Sequence, residues 1–513
     1  MNYKGLAMDQ SWVFLSGCAL APAVLMVVPL LVSFWRGISV PWLWRVFLSL
    51  SGASLIVSAL PLGADLGRLL LPEVVAVSPL SLSMALLVQL LGTVIGSFSA
   101  RYLQGEKGQR VYVAAFSGVL ASVHWLLLAN HWLVLIAAWA CVGWALQHLL
   151  CFYPDRPFAQ LAAHKKQIAD RLADAFLVAA AALAWREVGS GSLADLWAYL
   201  DHHTLSPSLQ LSAVALVLAV ILRTALLPVH GWLTQVMEAP TPVSALLHAG
   251  VVNLGGWVLI RFAPLLQEAT LARTLLIGFG LVTAMLAGMV MLTRVSIKVR
   301  LAWSTVAQMG FMLLECGLGL YTLAALHLMG HSFYKAHAFL SASMVVRQSR
   351  LQALHKPSST LALSLVCAPV WAILAVFGLQ AIFNEAPWPW WWSVVLALAW
   401  APLLWLPAQA TLVTKSLQVL YGILMLMMLT AACLLVHHLP LGIQDAPHQA
   451  FGVVAMIGMA ILYGCLALLQ CRSQALSHWR RWSYAGFYVD EAYTRLALKL
   501  WPSSWSSVPT SGG

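Results

Sequence analysis

Charged residues are scarce in this chain of 513 residues. Only 9% of the residues are Asp, Glu, Lys or Arg, and 61% are hydrophobic, whereas an ordinary soluble domain carries about 25% charged residues. No polar stretch is long enough for a separate soluble domain, so we expect a single membrane domain. Because a bilayer offers no partners to backbone polar groups, only helices or a closed barrel can span it. The apolar runs are about twenty residues long, which favours helices over barrel strands.

Cysteine pairs of the C-x-x-C type are also lacking. The eight cysteines lie in or beside apolar segments, which argues against an iron–sulfur cluster, a zinc ribbon or a disulfide framework. The net charge of +11 does not indicate nucleic-acid binding, because the basic residues occupy short loops that orient a membrane protein. We therefore expect no cofactor, no metal and no nucleic acid on this chain.

About fifteen apolar segments are long enough to span a bilayer. The predicted spans are 12–35, 43–62, 77–100, 111–128, 131–151, 168–188, 209–228, 240–263, 271–293, 299–320, 322–345, 361–383, 390–409, 416–436 and 450–470.

The loops between these spans alternate between basic and acidic ones along the chain. The basic side includes 101–110, 156–171, 294–300 and 347–356, and the acidic side includes Asp65, Glu73, Glu385 and Asp445. The positive-inside rule then places the N-terminus in the periplasm and the C-terminus in the cytoplasm of a bacterial inner membrane.

The distribution of hydrophobic residues predicts three parts. A membrane domain covers residues 1–471, a cytoplasmic amphipathic tail rich in aromatic residues covers 472–502, and a disordered tail covers 503–513. Proline interrupts the membrane domain near Pro228, and Pro240 and Pro242 crowd the start of the next span. Such prolines indicate either a simple kink or a broken helix that lines a cavity.

Several ionisable residues fall inside the predicted spans, where charge is costly and marks a functional site by default. These candidates are Arg223, His248, Glu315, His327, His331, Lys335 and His337. Among them, His327, His331 and Lys335 recur every four residues and so share one helix face. Burial brings lysine, glutamate and histidine into a range useful for carrying protons, whereas Arg223 stays charged and can only bias its neighbours.

Other interpretations of the same residues, as metal ligands or as structural residues, remain open. His327 and His331 have the spacing of a helical zinc pair, but no acidic or thiol ligand is close in sequence and Lys335 would oppose the metal. A histidine inside a span can simply be a hydrogen-bonding residue. Arg171 and Asp174 could pair at the membrane face or belong to an ordinary cytoplasmic anchor.

Four motifs carry a resemblance to a known family. Residues 223–250 begin Arg223-Thr-Ala-Leu-Leu-Pro-Val-His-Gly-Trp, residues 297–312 begin Ile297-Lys-Val-Arg, and residues 331–340 begin His331-Ser-Phe-Tyr-Lys335. The fourth motif is Arg171-Leu-Ala-Asp174. Over residues 75–385 the chain resembles the antiporter-like membrane subunits of respiratory complex I (NuoL-like) and of Mrp antiporters. The resemblance implies two inverted five-helix repeats with broken helices around a chain of buried charges, and it adds Lys298 to the proton-pathway candidates.

The chain departs from this family at the acid–lysine pair of the first repeat. Where the family has a glutamate after a tryptophan, Ala140 follows Trp139, and Arg223 replaces the lysine. Near the position of the family's lysine on the twelfth helix the chain reads Asn384-Glu385. We assign Arg171, Asp174 and Glu385 as candidates for an interface or for gating.

The segment Gly486-Phe-Tyr-Val-Asp-Glu-Ala-Tyr493, after the last predicted span, is similar to the DabB membrane subunits of the DAB inorganic-carbon accumulation complexes. That resemblance implies a large soluble, zinc-containing, carbonic-anhydrase-like (DabA-like) partner. It also implies that protons or Na⁺ crossing this subunit energise the conversion of CO2 to bicarbonate in the partner, with no enzymatic step in this chain. The alternatives are a pumping subunit of a complex I or Mrp-type assembly and a non-conducting anchor for the soluble partner.

Overall fold

The computed structural model describes residues 10–63, 73–342, 360–472 and 477–502. The predicted all-α class is confirmed, since helices make up nearly all of the described chain. Three sequence predictions concern residues outside the described ranges, namely Asp65, the basic segment 347–356 and the disordered tail 503–513.

The described chain divides into two compact units. Of the described residues, those within 1–272, 329–340 and 492–513 form unit 1, and those within 273–328 and 341–491 form unit 2. The helices of the first part of the chain are α1 Gln10–Ser33, α2 Val40–Ala59, α3 Pro79–Tyr102, α4 Gln109–Leu128, α5 Trp132–Leu150, α6 Pro157–Val188, α7 Leu193–His202, α8 Pro207–Arg223, α9 Gly231–Gln235, α10 Thr241–Ala249, α11 Leu254–Arg261 and α12 Ala263–Glu268. Those that follow are α13 Thr270–Leu292, α14 Ile297–Leu318, α15 Tyr321–Leu340, α16 Ala362–Phe383, α17 Trp390–Trp400, α18 Leu412–His437, α19 Gln449–Cys471, α20 Ser477–Tyr484 and α21 Val489–Leu500.

Eleven helical segments within the described ranges are long and apolar enough to cross a membrane, if α10 and α11 are taken together as one segment, and two shorter apolar helices accompany them. Each of the fifteen predicted spans overlaps one of the helices. Two of the predicted spans, those on the charged helices α6 and α15, are not among these apolar helices. The chain is thus a multi-pass membrane protein, while the total of fifteen crossings and the inverted repeats remain predictions.

Helix α6 begins eleven residues before the predicted span 168–188. Pro157 stands in its first turn, where a missing N–H and a fixed φ suit a helix start. The early turns carry charges, so they score as polar, yet Lys165 and Lys166 are buried. Their burial explains why the helix extends beyond the apolar run.

The predicted interruption before Pro228 is present, because α8 ends at Arg223. In the next span Pro242 only starts α10, and the break lies further on, at the 3₁₀ turn Val251–Asn253 between α10 and α11. The side-chain amide of Asn253 donates to the carbonyl of Ala249 at 2.9 Å and to the hydroxyl of Ser332 at 2.7 Å. A polar side chain therefore satisfies the backbone group that the break exposes.

Unit 2 packs around tryptophans and a close helix contact. Trp391 and Trp392 of α17 are fully buried in its apolar core. Helices α13 and α14 approach so closely at Gly280 and Gly310 that a Cβ on either glycine would lie 2.7 Å from backbone atoms of the other helix. Small residues allow such backbone contacts between membrane helices, and this contact fixes the helix that carries Glu315.

Candidate functional site

A row of charged side chains follows one face of α6 in unit 1. Lys166, Asp170 and Asp174 are spaced by four residues, so they lie one above the other along the helix. The ammonium of Lys166 is buried and donates to the carboxylate of Asp170. We call Lys166, Asp170, Asp174 and Arg223 the charge ladder of unit 1.

The last member of the ladder comes from a different helix. Arg223 ends α8, which packs against α6, and its Nη2 forms an ion pair with Asp174. Its Nη1 donates to the carbonyl oxygen of Trp139 at 2.7 Å, and the guanidinium carbon lies 4.8 Å from the centre of the Trp139 ring. Arg223 is buried while Asp174 is about one-third exposed, so the pair links the protein interior to its edge.

Helix α5 fits closely against the ladder because it has a glycine there. A Cβ on Gly143 would lie 2.7 Å from Oδ2 of Asp170 and 3.8 Å from Nζ of Lys166. On the other side, Nζ of Lys166 lies 5.6 Å from the centre of the Trp232 ring. An aromatic face and a carboxylate together stabilise a cation that has left water.

The ladder changes two sequence-based interpretations. Asp174 pairs with Arg223, whereas its predicted partner Arg171 is exposed. Ala140 and Arg223 stand where the resemblance predicts an acid–lysine pair, and α6 supplies the carboxylate of Asp174 to Arg223. The first half of the chain therefore has an acid–base pair made of other residues.

The tail helix α21 contacts the start of the ladder. Nζ of the fully buried Lys165 lies 3.1 Å from the hydroxyl of Thr494, and the Tyr493 hydroxyl lies 3.3 Å from the Lys165 carbonyl. Nε2 of His164 lies 3.0 Å from the carbonyl of Trp501. Part of the segment predicted as a cytoplasmic tail is thus bound to the residue that precedes Lys166.

A second group of predicted residues meets in unit 1. His331 and Lys335 of α15 and His248 of α10 are all buried. The His248 ring stacks on Phe339 with ring centres 4.6 Å apart, and Lys335 is near enough to act on it electrostatically. Among the described residues, neither ring nitrogen of His248 has a hydrogen-bond partner. This group therefore places an imidazole beside a buried amine, so that a proton on one of the two disfavours a proton on the other.

The predicted residues of unit 2 form a hydrogen-bonded chain. Nδ1 of His327 lies 2.8 Å from Oε2 of Glu315, and Nε2 lies 2.7 Å from Oε1 of Gln308. Glu315 is buried and His327 nearly so. Because the Gln308 amide can present either an oxygen or an N–H, the imidazole can be held in both its charged and its neutral form. This arrangement is suited to taking up and releasing a proton.

The remaining candidates lie apart from these groups. Lys298 is half-buried in the first turn of α14, and His337 is exposed on α15. Close to Lys298 in sequence, Arg294 lies between the rings of Trp303 and Tyr484, at 5.2 and 5.8 Å, and burial lowers the pKa of its guanidinium. Oε2 of Glu385 lies 3.0 Å from Nε2 of His438.

The sequence reasoning did not single out Lys166, Asp170 and Gln308. The four-residue spacing of Lys166, Asp170 and Asp174 was a usable signal, but their segment reads as a basic cytoplasmic anchor. Gln308 carries no charge and gives no signal of its own inside a span. Within the described ranges, no three His, Cys, Asp or Glu side chains converge as metal ligands would.

Comparison with known proteins identifies the family. Residues 129–386, about half of the chain, match the membrane domain described as NADH:quinone oxidoreductase/Mrp antiporter. The chain belongs to that family. This range includes the charge ladder, the group around Lys335 and the Glu315–His327 site. The predicted resemblance to this family is therefore confirmed.

Two relatives cover most of the chain. It is 37% identical over 442 residues to the probable inorganic carbon transporter subunit DabB of Hydrogenovibrio crunogenus, covering 84% of each chain. It is 36% identical over 485 residues to the DabB2 subunit of Halothiobacillus neapolitanus, covering 90% of this chain and 86% of the relative. NADH-quinone oxidoreductase subunit L of Escherichia coli is 33% identical over 270 residues, 52% of this chain and 44% of that one. The predicted resemblance to DabB subunits is thus confirmed.

A solved structure supports the fold alone. The structure of the Mrp complex from Dietzia sp. DQ12-45-1b matches with a TM-score of 0.60 at 20% identity. The match covers 94% of this chain and 60% of that one. The predicted antiporter-like fold is confirmed at this level.

Proposed function

We propose that this chain is a proton-conducting, or alternatively Na⁺-conducting, membrane subunit that energises inorganic-carbon uptake by a cytoplasmic partner. The observation that carries the proposal is the ion pair between the buried Arg223 and the partly exposed Asp174, continued by Lys166 and Asp170. Charges inside membrane helices are costly and are kept where they serve an ion path. The family to which the chain belongs supports the same interpretation.

The ionisable side chains of the two units have two different roles in the proposed proton path. Arg223 stays charged, so we assign it the task of holding Asp174 and biasing nearby protonation. His331, Lys335, His248 and His327 can gain and lose protons, and we assign them to the proton path. We retain Lys298, Glu315 and His337 as path candidates, and Arg171, Asp174 and Glu385 as candidates for gating or an interface.

The substrate class comes from the DabB relatives, whose names describe inorganic carbon transporter subunits. We infer a large soluble, zinc-containing, carbonic-anhydrase-like (DabA-like) partner and assign no cofactor or enzymatic step to this chain. We place the complex in a bacterial inner membrane with the C-terminal tail in the cytoplasm. The tail helix α21, bound at Lys165, would then lie on the side of the partner.

A carbonic-anhydrase-like site alone only equilibrates CO2 with bicarbonate, so net accumulation needs a source of free energy. One charge crossing the membrane supplies about 2.3 kcal/mol per 100 mV. Since each ~1.4 kcal/mol corresponds to a tenfold ratio, a single charge can sustain a concentration ratio well above tenfold. A proton gradient that discharges through this subunit is therefore a sufficient source of free energy.

Co-expression tests this proposal. Cells that require high CO2 should grow in air when they express this chain together with its soluble partner, and neither protein should suffice alone. The two proteins should also co-purify. Growth supported by the partner alone would contradict the proposal.

The two alternatives predict different results. A subunit of a complex I or Mrp-type assembly would co-purify with other pump subunits and would not rescue growth in air. A non-conducting anchor would rescue growth equally well when the ladder residues are neutralised.

A further inference from the structure

A second histidine–carboxylate pair lies in unit 2 outside the Glu315–His327 site. His437 is the last residue of α18, and Asp445 belongs to the segment that follows it. Nε2 of His437 lies 3.5 Å from Oδ2 of Asp445, and the two side chains are only 13% and 15% exposed. The pair is thus largely shielded from solvent although it lies beside a connecting segment.

The hydrogen bond at the other ring nitrogen fixes the tautomer of His437. Nδ1 lies 2.7 Å from the carbonyl oxygen of Cys433, an acceptor only, so Nδ1 must carry a hydrogen. In the neutral ring Nε2 then has a lone pair, and it faces a carboxylate that also has only lone pairs. Two acceptors repel each other, whereas one added proton turns the contact into an ion pair. The geometry therefore leaves a place for a single proton.

Asp445 is held in position and cannot easily turn away from His437. Its Oδ1 accepts a hydrogen bond of 2.8 Å from the backbone N–H of Thr322, in the first turn of α15. The next residue, Ala446, accepts from Nη2 of Arg273 at 2.9 Å and donates its N–H to Gly319 at 2.9 Å. These contacts hold the carboxylate of Asp445 against Nε2 of His437.

The pair lies close to the Glu315–His327 site in the same unit. The segment of Asp445 bonds to Gly319 and Thr322 in the connection between α14 and α15. Glu315 lies four residues before Gly319, and His327 lies five residues after Thr322. Other titratable or charged groups near the pair are Arg273, Cys316, Tyr321 and the adjacent His438–Glu385 pair. His438 is well exposed, with 61% of its side chain accessible, so the end of α18 lies at the protein surface.

We propose that His437 and Asp445 bind one proton between them and form the port through which protons enter or leave the path at Glu315 and His327. This inference rests on the proposed function, since a port requires a conducted proton. It assigns a role to two residues that the sequence predicts to lie in the loop after the span 416–436.

Proton flux into liposomes tests the port. The full chain with its partner is reconstituted, a potassium diffusion potential drives flux, and a trapped pH dye reports it. We expect His437→Gln and Asp445→Asn each to lower the flux about a hundredfold, the smaller end of the range for a positioned proton carrier. The double variant should be no slower than the slower single variant, because the two residues act as one unit. His202→Gln, at an exposed position on α7, is the control and should stay within about twofold of wild type.

A second measurement separates the port from the proposed function. The infrared difference spectrum between acidic and alkaline samples should contain a carboxylate band that Asp445→Asn removes and His437→Gln shifts. If wild type conducts and both variants conduct equally well with the same pH profile, the port is wrong and the proposed function stands. If wild type itself carries no flux, the proposed function fails. An infrared spectrum that Asp445→Asn leaves unchanged overturns the proton-binding pair in either case.

Discussion

Asp174 forms its ion pair with Arg223, 49 residues further along the chain, although Arg171 on the same helix is the nearer basic residue in sequence. The pair joins α6 to the end of α8, where the helix breaks off. A fixed positive charge therefore lies at the helix break, with a carboxylate opposite and the Trp139 ring beneath it.

Substitution of Arg223 should separate its charge from its geometry. Arg223→Lys keeps the ion pair to Asp174 but loses the hydrogen bond to Trp139. One charge-assisted hydrogen bond is worth about 1.5–3 kcal/mol, so we expect partial activity, roughly tenfold to a hundredfold lower. Arg223→Ala leaves Asp174 without its cation and should abolish carbon accumulation. The exposed Arg186 on α6 offers the control Arg186→Ala, and an alanine variant at 223 that equals wild type would make Arg223 a purely structural residue.

The buried stripe of α15 gives the next prediction. Lys335→Ala and His331→Ala should each abolish accumulation while the complex still assembles, because both remove a titratable group from the interior of a span. Accumulation is measured with radiolabelled bicarbonate, and assembly by co-purification. Phe333→Leu, at an exposed position on the same helix, should have no effect. Normal uptake by both variants would remove the stripe from the path.

Gly143 tests the charge ladder without altering a charge. In Gly143→Ala the new Cβ would lie 2.7 Å from Oδ2 of Asp170, so the Lys166–Asp170 pair has to shift. We expect lower uptake at normal expression. Gly52→Ala, where a Cβ meets nothing within 4 Å, is the matched control. Equal uptake by the two variants would show that the position of the ladder is not important.

Glu315 and His327 should behave as one unit. Glu315→Gln and His327→Gln should each lower proton flux about a hundredfold, and the double variant should be no worse than the more severe single one. Gln308→Ala, which removes the partner of Nε2 only, should have a smaller effect. Fully additive losses in the double variant would mean that the two residues act separately.

The positions of most helices were predictable, because a helix that spans a bilayer needs about twenty apolar residues and hydropathy reveals such runs. The start of α6 at Pro157 was missed, since buried Lys165 and Lys166 score as polar although they face the protein interior. The break at Val251–Asn253 was also missed, because no proline marks it. The Asn253 side chain stabilises the break, but a single asparagine in a span does not predict one.

The candidate site was predictable residue by residue but not as pairs. Charge inside a span pointed to Arg223, Glu315 and the α15 stripe. Which carboxylate meets which cation depends on helix packing, and the contact of Asp174 with Arg223 has no local sequence signal. The sequence placed His437 and Asp445 in the loop after the predicted span 416–436 and did not predict that they meet. Their closeness depends on the contacts of that loop with Thr322 and Arg273.

The most direct test of the account is inorganic-carbon accumulation in cells that express this chain with its soluble partner, before and after the ion gradients are collapsed. A protonophore should abolish accumulation within the time the gradient takes to decay, while the complex remains assembled. A sodium-specific ionophore should spare it if protons are the coupling ion. Accumulation that persists after both gradients are removed would contradict an energised subunit and would leave only a membrane anchor.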